Sequence, residues 1–398
     1  MPFIAMVRLF VCRLMSQGRI NMKSKNITQK FRITVLTPVH IGTGFRKMKG
    51  IDFYFDERTS QVILVDLDEI GTLLVDNSQA LNELANLDEQ NDIGDLTRRY
   101  HLNLKNNKNY PINSVGREFL EFVRTGLGQP LIPGSSLKGS LRTAILRNII
   151  DQKSDVERRE LFKEIPNGGN PKSASDDLLR NIFGRNPNYD LMRVLVVSDS
   201  HFSESDLMLI ELRVLSQNRN GWYWKSNPKN PNQPMQVWCE ALRPNSKAEI
   251  SLSLDNFLLT DSRAVWELKF PNKLAADLHT LIDQINQYSA QMIDAEITYF
   301  DERDSEKPEL NEIIRNLNLV KKHIPANDSA MVIRLGWGSG WKHMTGDYLE
   351  RDKDILEKIR MNFRLGRPGM PFPKSRKIAF QNGKPIFPFG WIKLEVLN

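Results

Sequence analysis

The sequence predicts an α+β fold with antiparallel sheets, and three observations carry that prediction. Short runs rich in β-formers alternate apolar and polar residues, as in FRITVLTP at Phe31–Pro38 and FGWIKLEVL at Phe389–Leu397. Several runs are joined by tight turns, which suit antiparallel pairing. The helical stretches between them lack the strict strand–helix alternation of a doubly wound parallel sheet.

Taken in order, residues 1–26 read as an extension outside the fold, with Met22 as an alternative start. The opening MPFIAMVRLFVCRLMSQGRI is acid-free and apolar but lacks the small-residue cleavage site of a signal peptide. Phe31–Pro38 is a strand, ended by Pro38 and the glycines of HIGTG, and TGFRKMKG (Thr43–Gly50) is the loop that follows. Ile51–Phe55 and Gln61–Val65 form a hairpin, residues 67–87 are helical, and the Asn- and Lys-rich stretch 101–115 is a loop. In PLIPGSSLKGSLRTAILRNII, Ser135 or Ser136 can cap a helix whose apolar face is Leu137, Leu141, Ala144, Ile145 and Ile149. Residues 151–180 are polar and read as an insertion, and Gly184 ends a short helix. Leu191–Phe202 and Leu207–Leu215 are strands, and Asn218–Pro234 is an exposed loop. VWCEALRP and KAEISLSLD form a hairpin around Asn245-Ser246. Helices are expected over 271–297, 308–322 and 347–363, with the glycine-rich loop RLGWGSGWKHMTG before the last and a final strand at Phe389–Leu397. Two ferredoxin-like (RRM-like) units with helical and loop insertions fit this order, at 27–216 and 217–398.

The chain's 398 residues favour two domains over one core. With 40% hydrophobic and 26% charged residues, the composition is that of a globular protein rather than a disordered one. No apolar run is long enough to span a bilayer. Two cysteines, Cys12 and Cys239, cannot build a disulfide framework or a four-thiolate zinc site, so a reducing cytoplasm is the expected compartment. The net charge of +7 is unevenly spread. Residues 1–50 hold no Asp or Glu, and Arg360, Arg364, Arg367, Lys374, Arg376, Lys377, Lys384 and Lys393 face the single acid Glu395 near the end. Basic ends around a neutral or acidic middle suit a surface that follows phosphates; solvated ends are the plainer alternative.

Two motifs carry candidate chemistry. PGSSLKGS resembles a phosphate cradle: helix-start N–H groups with Gly134, Ser135, Ser136 and Gly139, flanked by Lys138 and Arg142. It lacks Walker A spacing, so nucleotide hydrolysis is not expected, and an ordinary capped helix explains it equally well. LGWGSGW places Gly336, Gly338 and Gly340 at alternate positions beside Arg334 and Trp337, a pattern suited to single-stranded RNA. Its alternative is a tight turn with core tryptophans, the reading preferred for Trp266 and Trp391. His40 and His201 are weak candidates for general acid–base work, since each is a lone histidine at a strand end. Asp199 beside His201 completes no metal-ligand set, and neither a metal nor a cofactor is expected.

Together TPVHIGTG, IPGSSLKGSLRTAIL, FG before VLVVSDSHF, and RLGWGSGW resemble the RAMP superfamily of CRISPR effector proteins, from about residue 30 onward. VSDSHF with LGWGSGWKHMTGDYL is most similar to the Csm-type subunits that cap the guide RNA 3′ end in type III-A complexes. The resemblance implies RRM-like domains, crRNA and the backbone Csm subunits as partners, and a part in guide maturation that recruits host ribonucleases. Related backbone subunits cut target RNA with an aspartate after their HIG-like motif. Residues 43–50 contain no carboxylate here, so target cutting is not expected, and Arg46, Lys47 and Lys49 become candidate phosphate ligands.

Overall fold

A computed structural model of the chain describes residues 27–88, 91–163, 170, 173, 175–218, 221–268, 278–301, 310–343, 353–366 and 372–397. The expected extension at 1–26, much of 164–174 and the MTGDYL stretch lie outside them. The strands of the two main sheets are β1 (Ile27–Val35), β2 (Gly42–Met48), β3 (Glu118–Phe122), β4 (Leu195–Val197), β5 (Leu207–Asn218), β6 (Gly221–Trp224), β7 (Gln236–Leu242), β8 (Lys247–Leu254), β9 (Ala330–Arg334), β10 (Ser375–Gln381), β11 (Lys384–Phe387) and β12 (Trp391–Val396).

The first sheet runs β9-β12-β1-β8-β4, antiparallel throughout. Helix α1 (Gly134–Asp151) packs near β4 and against helix α2 (Leu278–Asp301), which also packs on β9. Polar residues of α2 occupy the open edge of β9. Asn286 Nδ2 donates to the Ala330 carbonyl (2.8 Å), its Oδ1 accepts from Val332 N–H (3.0 Å), and Ser289 Oγ donates to the Val332 carbonyl (2.6 Å). These side chains satisfy edge groups that burial would otherwise leave unpaired.

The second sheet runs β11-β10-β5-β7-β3-β2, with β6 also on β5, and is antiparallel except for β7 with β3. A smaller three-stranded sheet (Phe53–Asp56, Gln61–Leu64, Lys108–Pro111) joins three short helices between 67 and 99, which enclose Ile70, Leu74, Ala80, Ile93 and Leu96. The α+β class with antiparallel sheets is therefore present.

The expected division at 216/217 falls within a paired strand. Residue 216 lies inside β5, which bonds to β7 and β10, and β1 lies between β8 and β12. One cluster of buried side chains joins Phe31, Phe119, Leu215 and Trp391. Turn signals report local reversals of the chain, and they carry no information on which distant strands pair.

Five local expectations change for the same reason. Residues 43–50 and 101–115 are not wholly loop, because Gly42–Met48 and Lys108–Pro111 find strand partners. Asn218–Pro234 contains strands, including β6. The stretch 191–202 is a 3-10 turn at Leu191–Val194, β4, and a two-residue strand at Ser200–His201. β7 and β8 are not a hairpin: the turn at Asn245, with φ 71°, carries the chain from one sheet to the other.

Candidate nucleic-acid interface

The motifs that stand apart in sequence are linked by main-chain hydrogen bonds. Trp337 N–H donates to the His40 carbonyl (2.9 Å) and Val123 N–H to Ile41 (2.8 Å). Leu131 N–H donates to Val123 (3.3 Å) and Phe202 N–H to Pro130 (2.9 Å). The glycine-rich loop, the HIGTG turn, the segment leading into α1 and the SDSH turn thus form one succession.

Two glycines in it are fixed by close approach to a carbonyl oxygen. A Cβ on Gly336 (φ 86°) would stand 2.5 Å from the His40 carbonyl oxygen. One on Gly134 would stand 2.2 Å from the Val197 carbonyl oxygen. Both contacts are too short for any side chain. Gly338 and Gly340 also have positive φ, and Gly340 and Gly139 face open space.

At the start of α1 the N-cap is Pro133, so neither Ser135 nor Ser136 caps the helix. Asp199 instead accepts the Gly134 N–H through Oδ1 (2.7 Å), from 65 residues away. A carboxylate already fills part of the expected phosphate cradle, as the helix dipole favours. Ser135 is exposed and Ser136 half-buried. Burial lowers the Lys138 ammonium, opposed by nearby Asp190. Arg142 is paired with Asp190 (2.7 Å) and stacked over Phe183 (4.2 Å).

β2 is an edge strand with a bulge between Gly42 and Arg46 that leaves Phe45 73% exposed. Arg46 is paired with Glu118, and Lys47 stands 3.4 Å from Glu121 and 3.7 Å from Asp52. These carboxylates, from β3 and the turn after β2, offset charges expected to meet phosphates. Lys49 is exposed.

Arg334 is corrected from a surface contact to a core residue. It is 7% exposed and donates through Nε to the Phe389 carbonyl (2.6 Å). Burial pulls its guanidinium down to about 10, against the attraction of Glu296. Glu296 is also buried and takes both its direct bonds from Arg376 Nε (3.0 and 2.9 Å). Trp337 is half-buried, with Lys377 Nζ 3.9 Å from its ring centroid and the His40 ring edge-on at 5.7 Å. Lys377 was visible in sequence only as part of the basic C-terminal run. Trp391 is core as expected, whereas Trp266 is 75% exposed and is not.

His40 is 1% exposed, and its Nδ1 bonds the Glu240 carbonyl at 2.6 Å. Burial lowers its basicity, so it stays neutral and inaccessible near pH 7. His201 is exposed, on the short strand paired with Leu131.

Beneath the linked turns lies a network that the sequence did not announce. Glu240, fully buried, accepts from Arg124 Nη1 and Nη2 (both 2.8 Å), from Tyr110 Oη (2.6 Å) and from Phe122 N–H (2.8 Å). Arg124 also donates through Nε to Glu204 (2.9 Å), which Lys108 bonds at 2.7 Å. Burial alone would lower Arg124, but Glu240 and Glu204 outweigh it and raise it.

A model of the RAMP superfamily matches residues 32–341. The chain is 21% identical over 419 residues to the Methanocaldococcus jannaschii protein named CRISPR system Cms protein Csm5, covering 94% of this chain and 90% of that protein. It is 25% identical over 256 residues to the Streptococcus thermophilus protein of the same name, covering 58% and 65%. Its fold is similar to a chain in a cryo-EM structure of a Csm–crRNA–target RNA ternary complex of a type III-A CRISPR-Cas system (TM-score 0.64, 22% identity, 93% of this chain and 100% of that one). It is also similar to the crystal structure of T. onnurineus Csm5 (TM-score 0.60, 22% identity, 92% and 100%).

Proposed function

The chain belongs to the RAMP superfamily, and from that premise we propose that it is a crRNA-binding subunit of a type III-A Csm complex that holds the guide 3′ end and supports guide maturation without cutting RNA itself. The observation that carries this reading is the hydrogen-bonded succession from Trp337 through His40, Ile41 and Val123 to Leu131. Alongside it are open glycine-bearing main chain at Gly340 and Gly139 and cations that are not in ion pairs among the described residues, namely Lys377 on Trp337, Lys138 on α1 and Lys49 just past β2. Such surfaces hold a phosphate backbone with little sequence preference. The similarity to Csm5 proteins and to a chain of a Csm–crRNA complex supports crRNA and the backbone Csm subunits as partners. A pair of ferredoxin-like units remains part of this proposal, spread over the two sheets rather than split at residue 216. Host ribonucleases are the proposed source of guide trimming.

The rival reading, a metal-independent endoribonuclease, is weakened at His40, whose ring is buried and bonded to main chain. The deciding experiment purifies the assembled complex on a tag carried by this chain and sequences the guide 3′ ends. A Lys49→Ala, Lys138→Ala, Lys377→Ala variant should assemble with less guide and with ragged 3′ ends. Unchanged guide content and unchanged ends would refute the proposal. Discrete cleavage of repeat RNA in EDTA, lost in His201→Ala, would favour the rival.

A further inference from the structure

A second feature adjoins α1 through Asp190. That residue pairs with Arg142, and its chain neighbour Tyr189 lines a cavity of about 260 Å³. The cavity lies between the 3-10 turns at 187–194 and the short helices Asn256–Thr260 and Ser262–Leu268. Asn188, Tyr189, Arg193, Phe257, Asp261 and Arg263 are in its wall, with Glu267 as a second carboxylate there. Phe257 is 60% exposed, a large apolar ring held at the surface of the described residues. The Arg185 guanidinium stacks on the Tyr189 ring at 4.1 Å, which orients that ring and adds a cation at the rim.

Resting on the RNA-binding reading, we infer that this cavity seats one unstacked nucleobase of a single-stranded RNA whose backbone passes Lys138. Its size argues for a single ring system, since cavities for drug-sized ligands run to about 300–1,000 Å³. Its chemistry argues for a base with an attached phosphate. Tyr189 and Phe257 offer aromatic faces, Asn188 and Asp261 offer groups for a base edge, and Arg193 and Arg263 offer charge for the backbone. Asp261 is held in place by accepting the N–H groups of Arg263 (3.1 Å) and Ala264 (2.9 Å) through one oxygen. Asp255 anchors the helix carrying Phe257 in the same way, accepting Leu258 N–H (3.1 Å).

The test uses the full chain and short single-stranded RNAs carrying 2-aminopurine at successive positions. Total affinity is read by filter binding and base environment by fluorescence. Wild-type protein should quench the reporter strongly at one position. Phe257→Ala and Tyr189→Ala should remove that quenching and weaken binding about tenfold, while Phe257→Trp should retain both. Both side chains are solvent-accessible, and a thermal melt confirms that each variant is folded. Tight RNA binding with no quenching at any position would overturn the inference and leave the RNA-binding reading intact. No RNA binding by the wild type would overturn both. Unchanged RNA binding by the variants, with loss of a co-purifying protein subunit from the complex, would assign the cavity to a protein partner and overturn the inference.

Discussion

The main-chain N–H of Trp337 donates to the carbonyl of His40 at 2.9 Å, across 297 positions of sequence. The contact requires Gly336, whose Cβ position lies 2.5 Å from that carbonyl oxygen. Gly336→Ala should therefore cost more than the left-handed backbone alone, about 1–3 kcal/mol in all. Gly340→Ala, at φ 88° but in open space, should show only the backbone part, about 1 kcal/mol. Urea unfolding of the two variants checks this, and equal losses would mean that the His40 contact yields easily.

Glu240 is the hub beneath the turns. Glu240→Ala leaves Arg124 largely buried with Glu204 as its remaining carboxylate and strips the partner from Tyr110. Breaking a buried pair in this way typically costs about 3–5 kcal/mol. Glu204→Ala, on the more exposed side of Arg124, should cost clearly less, and chemical denaturation would rank the two.

Stability should fall with acid in a window set by histidines. His40 and His343 are buried, and burial lowers both from the ordinary 6.5, with Arg334, Arg376 and Lys342 lowering His343 further. The unfolded chain then binds more protons below pH 6.5 than the folded one. The stability of the neutral rings is thus full above 6.5 and is lost as pH falls, by up to about 1.4 kcal/mol per pH unit for each ring. Both nitrogens of His343 lack a hydrogen-bond partner among the described residues. His343→Phe should flatten the slope below pH 6.5, and an unchanged slope would exclude His343 as its source.

Salt dependence separates cations outside ion pairs from paired ones. Each phosphate contact to a single strand contributes a slope of about 0.7 in log affinity against log salt. Lys138→Ala and Lys377→Ala should each lower the slope by about that amount. Arg46→Ala should change it little, because Glu118 already pairs with that guanidinium. A large loss at Arg46 alone would place the RNA along β2 instead.

Much of the local structure was legible because it is written in neighbouring residues. Alternation marks β1 and β12, the spacing of Leu137, Leu141, Ala144, Ile145 and Ile149 marks the apolar face of α1, of which Ile149 is only partly buried, and Gly184 marks its helix end. What stayed hidden depends on contacts made at long range. Gly134 looked like a phosphate-binding glycine, but it is needed for packing against the Val197 carbonyl. Arg334 read as a surface cation until Phe389 and Glu296 enclosed it. Nothing near Lys377 in sequence says that it stacks on Trp337. The glycine motifs at 40–44 and 336–340 were legible as motifs, but their adjacency was not.

The position of β12 has a consequence for biosynthesis. It lies between β9 and β1, so the first described strand gains its neighbour on that side only once residues 391–396 have been made. A nascent chain that has not reached residue 391 keeps that flank of β1 bare. Premature stops shortly before residue 391 should therefore yield aggregates rather than a shortened but folded chain, as sedimentation of the lysate would show.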